Sequence, residues 1–162
     1  MQAIKMYRDW AIDQLGKTIN TLGYIVETTS QQDASAYRDG GDGWTALEVV
    51  GHLRDYEEVF IERTRLTLNE DNPALPMPDQ EALAVERAYN SGDLRQTYKE
   101  WAALRREFIP MLEGVDESGW ERPAVHPRRG PFTLTDQLML IEWHDLNHIE
   151  QIAKILLERK GG

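Results

Sequence analysis

Two histidines stand four residues apart in "LMLIEWHDLNHIEQIAKIL", residues 138–156. At about 100° per residue, Leu134, Leu138, Ile141, Ile152 and Ile155 fall on one side of a helix, and His144 and His148 fall within that side. Residues i and i+4 stack one turn apart, so both imidazoles point the same way. That geometry suits two ligands on one metal ion. Burying a bare histidine costs free energy unless its ring nitrogens find partners. The alternative to a metal is hydrogen bonding to Gln137, Gln151 or a tyrosine. A third histidine, His52, flanks the apolar stripe of another helix beside Val49 and Tyr56. If the starts of the two helices share one end of a bundle, all three imidazoles lie at similar depth. Three histidines with open positions are the pattern of a catalytic metal, and imidazole suits zinc, nickel, iron and copper. "HDLNH" is not a zincin motif: Asp145 stands where HExxH has its glutamate base.

Other residues near this pattern have two readings each. Glu48 and Gln151 are spaced to hold a ligand histidine's second nitrogen, though Glu48 also completes a capping box. Tyr56 is either core or a donor to substrate. Asp145 either orients a ligand or pairs elsewhere. His126, in "PAVHPRRG", is an exposed loop residue by default; the other reading is an acid or fourth ligand over the site. Arg128 and Arg129 are a solvated pair or a clamp for an anionic substrate.

The positioning elements are helical. Ile4, Trp10, Ile12, Leu15, Ile19, Leu22 and Val26 mark a first helix from Gln2 to Thr28. Thr45 caps a second and Glu48 completes its capping box; Ala46, Val49, Val50, Leu53, Tyr56 and Phe60 form its stripe. "NEDNPALPMPD" ends it with three prolines. A short helix spans Glu81 to Tyr89. The third long helix runs from Leu94 to Leu112 on Tyr98, Trp101, Leu104, Phe108 and Leu112, with Pro110 expected to kink its last turn or end it early. The segment 113–132 reads as a loop, and no strand is predicted. The fourth helix starts at Thr133 or Thr135 and ends by Lys160. Four amphipathic helices imply an all-α four-helix bundle, a single domain over residues 1–162.

Composition narrows the function classes. The net charge of −10 argues against nucleic acid as a partner. The chain has no cysteine, which excludes disulfides, thiolate metal sites and a thiol nucleophile of its own. No apolar run reaches the roughly 20 residues that span a bilayer, and "MQAIKMYRDW" has no signal-peptide core. These features point to a cytoplasmic protein with no membrane partner.

"WTALEVVGHL" and the HxxxH within "EWHDLNHIEQI", in a chain of four helices, resemble the DinB/YfiT-like superfamily from about Met1 to Glu158. The matching positions are Trp44, Thr45, His52, His144, Asp145, His148, Gln151 and Ile152. The resemblance implies a four-helix bundle whose divalent metal, zinc or nickel, is held by His52, His144 and His148. It implies a metal-dependent hydrolase, or a transferase or isomerase that uses a low-molecular-weight thiol such as mycothiol or bacillithiol. No motif selects between them. A thiol cofactor is compatible with the missing cysteines.

One face remains. Met139, Trp143, Leu146 and Leu157 lie opposite the histidines, and one core cannot bury both sides of a helix. That flank predicts a two-fold homodimer, unless segment 29–44 or 113–132 folds over it. The rival to a metalloenzyme acting on a small molecule is a non-catalytic dimeric binding or regulatory bundle with a structural or vestigial metal site.

Overall fold

The computed structural model describes residues 2–158. Its elements are α1 (Gln2–Thr28), α2 (Gln31–Ala36), α3 (Ala46–Asn69), α4 (Gln80–Glu86), α5 (Leu94–Glu113), α6 (Glu117–Trp120), β1 (Pro123–His126), β2 (Gly130–Thr133) and α7 (Leu134–Glu158). The four long helices are the predicted ones, and the molecule is essentially all-α. The predicted end near Lys160 lies outside the described residues.

Local chemistry sets the helix starts. The Thr45 hydroxyl accepts from the Glu48 N–H, and the Glu48 carboxylate accepts from the Thr45 N–H. Thr133 and Asp136 form the same reciprocal pair ahead of α7. Asp93 caps α5 by accepting from the Gln96 N–H. Pro110 does not end α5. It sits in the last turn, where its fixed φ suits the helix and only one amide bond is lost. Buried Leu112 anchors that turn, and the Gly114 N–H donates to Pro110 O.

Three expectations are corrected. Residues 113–132 are not a plain loop: β1 and β2 form an antiparallel hairpin, Pro123 opposite Thr133 and His126 opposite Gly130. Gly130 has φ +76°, which the turn requires and a side chain would resist. The proline-rich connector joins this hairpin, Leu75 N–H donating to Val125 O and Val125 N–H to Pro73 O. Secondly, α4 ends at Glu86 and Tyr89 leaves the helix after left-handed Ala88. Tyr89 packs on α3 where Gly51 leaves room: a Cβ there would lie 2.8 Å from its ring. Thirdly, Ile4 and Trp10 face outward, while Arg8 and Ala11 take the buried positions of the first turns.

Each long helix packs on two others, in the ring order α1–α5–α3–α7. Side-chain pairs give the directions. Arg8 meets Thr135 and Thr18 meets Asp145, so α1 and α7 run parallel. Arg54 meets Glu100 and Glu57 meets Arg105, so α3 and α5 also run parallel. Gln137 meets Thr67 while His144 meets His52, so α3 and α7 are antiparallel. α1 and α3, and likewise α5 and α7, therefore face each other across the diagonals, while consecutive α3 and α5 are parallel neighbours; each of these steps needs a long connection.

The core divides in two. Leu22, Val26, Leu47, Val49, Trp101 and Ile152 belong to one apolar cluster. Leu15, Phe60, Phe108, Leu134, Leu138 and Ile141 belong to the other. All four helices contribute polar side chains to the layer where these clusters meet: Thr18, His52 and Glu57, Arg105, and His144, Asp145 and His148.

Candidate metal centre

The three histidines meet in that polar layer. One ring nitrogen from each of His52, His144 and His148 lies within 4.8 Å of the others. The Nε2 atoms of His52 and His144 are 2.9 Å apart. His148 Nδ1 is engaged by Gln151 Oε1 at 2.9 Å, which leaves its Nε2 for the shared point. The reason for the meeting differs from the sequence expectation. The starts of α3 and α7 lie at opposite ends of the bundle. The rings share one depth because the helices are antiparallel: His52 follows the start of α3 by two turns, and His148 lies three turns before Glu158.

The electrostatics favour neutral rings. His52 and His144 are buried and His148 is half-buried. Burial, with the neighbouring His148, pushes the His52 pKa down to about 3. Burial and the two other histidines hold His144 well below its ordinary value. Burial also lowers His148, against the Gln151 hydrogen bond and the Asp145 charge, which raise it. Three neutral imidazoles are the form that binds a transition metal. Apart from the Nε2 contact the two buried rings are unsatisfied, and Nδ1 of His52 and of His144 has no hydrogen-bond partner. Buried polar groups rarely stay that way. The donor set and its strain thus fit a borderline divalent metal.

The walls are aromatic. The Tyr56 ring lies 4.4 Å from His52 and 5.5 Å from His144, stacked on the latter. Its hydroxyl donates to Pro78 O. Trp44 lies 5.0 Å from His52, and its indole N–H donates to Glu81. Phe60 meets His144 edge-on at 5.2 Å. Tyr56 also lines a cleft of about 340 Å³ with Met77, Pro78, Asp79, Gln80, Glu81 and Arg128. Arg128 thus shares a cleft with Tyr56, a wall of the histidine group, whereas Arg129 lines a separate cleft with Phe132, Met139 and Trp143.

Of the paired readings, the structure selects one in most cases. Glu48 is a cap and an ion-pair partner of Arg38. Gln151 holds His148. Asp145 belongs to a buried ion cluster with Arg105. His126 is neither an exposed loop residue nor part of the histidine group. It is a buried strand residue whose Nδ1 accepts from the Arg128 N–H, and its ring lies 5.2 Å from Phe132.

Sequence reasoning missed that ion cluster. Arg105 is fully buried and all five of its N–H groups are used: on both oxygens of Glu57, both of Asp145, and the Thr18 hydroxyl. The signal was present, since Glu57 sits between Leu53 and Phe60, and Arg105 between Trp101 and Phe108, on apolar stripes. Asp39, which reaches Gln151 and Lys154 from the turn after α2, had no such signal.

With this geometry in view, the comparisons are specific. Residues 14–152 match the model of the DinB superfamily. The chain belongs to that superfamily. A protein of Bacillus subtilis named "Putative metal-dependent hydrolase YfiT" is 31% identical over 131 residues, covering 80% of this chain and 72% of its own. "Putative metal-dependent hydrolase OB0413" of Oceanobacillus iheyensis is 24% identical over 160 residues, 98% of this chain and 90% of that one. The solved structure of B. subtilis YfiT superposes with a TM-score of 0.86 at 28% identity, covering 95% of this chain and 87% of that one. It is described as "a probable metal-dependent hydrolase with an unusual four-helix bundle topology". The topology of this DinB-superfamily chain, with α1 and α3 and also α5 and α7 on diagonals and α3 and α5 parallel neighbours, is consistent with that phrase. Among the described residues, no helix is long and apolar enough to cross a membrane.

Proposed function

We propose that the protein is a metal-dependent hydrolase whose divalent ion, zinc or nickel, is held by His52, His144 and His148. The observation that carries this reading is the convergence of three imidazoles, two buried and one half-buried and all with lowered pKa, from two antiparallel helices. A divalent ion on three uncharged ligands supplies Lewis acidity and lowers the pKa of water. The residues of the chain do the rest. Gln151 orients His148. Tyr56 and Trp44 exclude water from two sides of the histidines. Arg128, the one basic residue lining the cleft beside Tyr56, anchors an anionic group of a small substrate by forked hydrogen bonds. A second chemistry uses the same residues. Because the chain has no cysteine, a thiol transfer would need a low-molecular-weight thiol as the sulfur donor.

Metal analysis of untagged protein, beside His148→Ala, tests the site. Wild type is expected to hold about one equivalent, and the variant to bind more than about 100-fold more weakly, since even an outer partner of a ligand is worth 10–100-fold. A wild-type chain that takes up no zinc or nickel sinks the reading. Ester, amide and thiol-conjugation substrates offered to the loaded protein then separate hydrolysis from transfer.

The assembly proposed is a two-fold homodimer through α7. Met139, Trp143, Leu146 and Leu157 are all more than half exposed, so neither long connection covers them. Exposed Trp10 on α1 extends the apolar surface along the same edge, one turn past Tyr7, whose hydroxyl donates to Glu142. Sedimentation should show a dimer for wild type and a monomer for Trp143→Glu; a wild-type monomer removes the proposal.

A further inference from the structure

A chain of side chains leads outward from His148. Gln151 Oε1 lies 2.9 Å from His148 Nδ1, and Gln151 Nε2 donates to Asp39 Oδ2 at 3.0 Å. Asp39 Oδ1 accepts from Lys154 Nζ, also at 3.0 Å. Asp39 arrives from a turn 112 residues away in sequence from Gln151. That turn is built to hold it. The Asp39 N–H donates to Trp44 O, the Gly43 N–H donates to Asp39 O, and Gly40 and Gly41 adopt φ of +60° and +93°. Such angles favour glycine.

The direction of each hydrogen bond follows from chemistry. A carboxylate only accepts. With Asp39 on one side, Gln151 must turn its NH₂ there and its carbonyl oxygen toward His148. A carbonyl oxygen also only accepts, so His148 Nδ1 must carry the proton. A neutral imidazole carries one proton, so Nε2 is left with its lone pair, on the side shared with His52 and His144. Without Asp39, the amide can turn over and offer its NH₂ to Nδ1. That selects the opposite tautomer and puts a proton on Nε2.

We propose that Asp39 is a positioning residue: acting through Gln151, it locks His148 into the tautomer whose Nε2 is free to coordinate. Its effect on metal affinity rests on the metal reading; the tautomer lock does not, because it operates on the metal-free chain.

The test uses Asp39→Ala, Asp39→Asn and Lys154→Ala in the full chain, with two readouts. The first is the imidazole nitrogen spectrum of the ¹⁵N-labelled, metal-free protein. Wild-type His148 is expected to be protonated at Nδ1. Asp39→Ala should show a substantial Nε2-protonated population. Asp39→Asn should be intermediate, since its amide accepts or donates. Lys154→Ala, which keeps the carboxylate, should match wild type. The second readout is zinc affinity by chelator competition, expected to fall about 10-fold in Asp39→Ala and by less than about twofold in Lys154→Ala, a partner lost from an exposed pair. A wild-type His148 spectrum in Asp39→Ala overturns the proposal whatever the metal does. A shifted spectrum with unchanged zinc affinity overturns the link from tautomer to coordination. A shifted spectrum in a chain that binds no zinc even as wild type upholds the lock and defeats the metal reading.

Discussion

Two polar clusters share the middle layer of this bundle, and they are finished to different degrees. Every donor of the Arg105 guanidinium has an acceptor: it spends its five N–H groups on Glu57, Asp145 and Thr18. Around His52 two ring nitrogens lack partners and two Nε2 atoms face each other. The first cluster joins all four long helices, Thr18 from α1, Glu57 from α3, Arg105 from α5 and Asp145 from α7. The second draws on α3 and α7 alone. A buried polar group that is fully paired fixes structure, and one left incomplete marks where the molecule meets something else. We therefore propose the Arg105 cluster as the register pin of the bundle and the histidine cluster as its working site. Asp145 and His144, adjacent in sequence, belong one to each.

The most severe way to break this contrast is Arg105→Met. It leaves Glu57 and Asp145 buried without a cation, and breaking a buried ion group by removing one partner costs roughly 3–5 kcal/mol. For a chain of this size that lowers Tm by about 6–20 °C. Burial already raises the Glu57 pKa against the pull of Arg105, so removing the guanidinium should drive a carboxyl to protonate. The triple variant Arg105→Met, Glu57→Gln, Asp145→Asn should recover much of the loss in thermal melts. If Arg105→Met melts like wild type, the cluster is not a register pin.

Next in size is an acid effect expected of the histidine cluster. Its folded-state pKa values lie below the ordinary histidine value. The stability they contribute is therefore fully present above about pH 6.5 and is lost as pH falls from there toward about 3, the value to which His52 is pushed. By linkage, His52 alone costs roughly 2 kcal/mol by pH 5. Urea melts of chelated protein should weaken between pH 7 and 5, and zinc should offset the loss at the upper end of that range. His52→Gln should flatten the profile. An unchanged slope in that variant would place the acid sensitivity elsewhere.

The same contrast explains what the sequence made legible. The His144–His148 pair, the Thr45–Glu48 capping box and the four helices follow from spacing within one element, where periodicity and hydrogen-bond reach are local; His52, on another helix, was joined to the pair by the family resemblance. Arg105 and Glu57 were half legible: charges on apolar stripes announced burial but not the partner. The hairpin escaped because its four-residue strands carry little periodicity and are fixed by pairing with Pro73 and Leu75. The helix directions, and with them the reason the histidines meet, depend on how the three long connections route the chain around and across the bundle. Asp39 was invisible because an exposed-type residue in a glycine turn says nothing about a helix 112 residues on.

The smallest change separates the clusters most cleanly. Thr18→Val keeps the shape of a half-buried side chain and removes one acceptor for Arg105 and one contact to Asp145. A single hydrogen bond to a charged group is worth about 1.5–3 kcal/mol, but here Arg105 keeps both carboxylates, so the loss should lie near the lower bound. Thermal melts should shift by a few degrees. Zinc affinity should not move, because among the described residues no hydrogen bond links Thr18 to a histidine; the routes are the charges of Asp145 on His148 and of Arg105 on His144, which Thr18→Val leaves in place. Equal shifts in both measurements would mean that Asp145 transmits between the clusters and that the middle layer is one unit. Stability lost with affinity intact means that the protein can tune its working site without loosening its register.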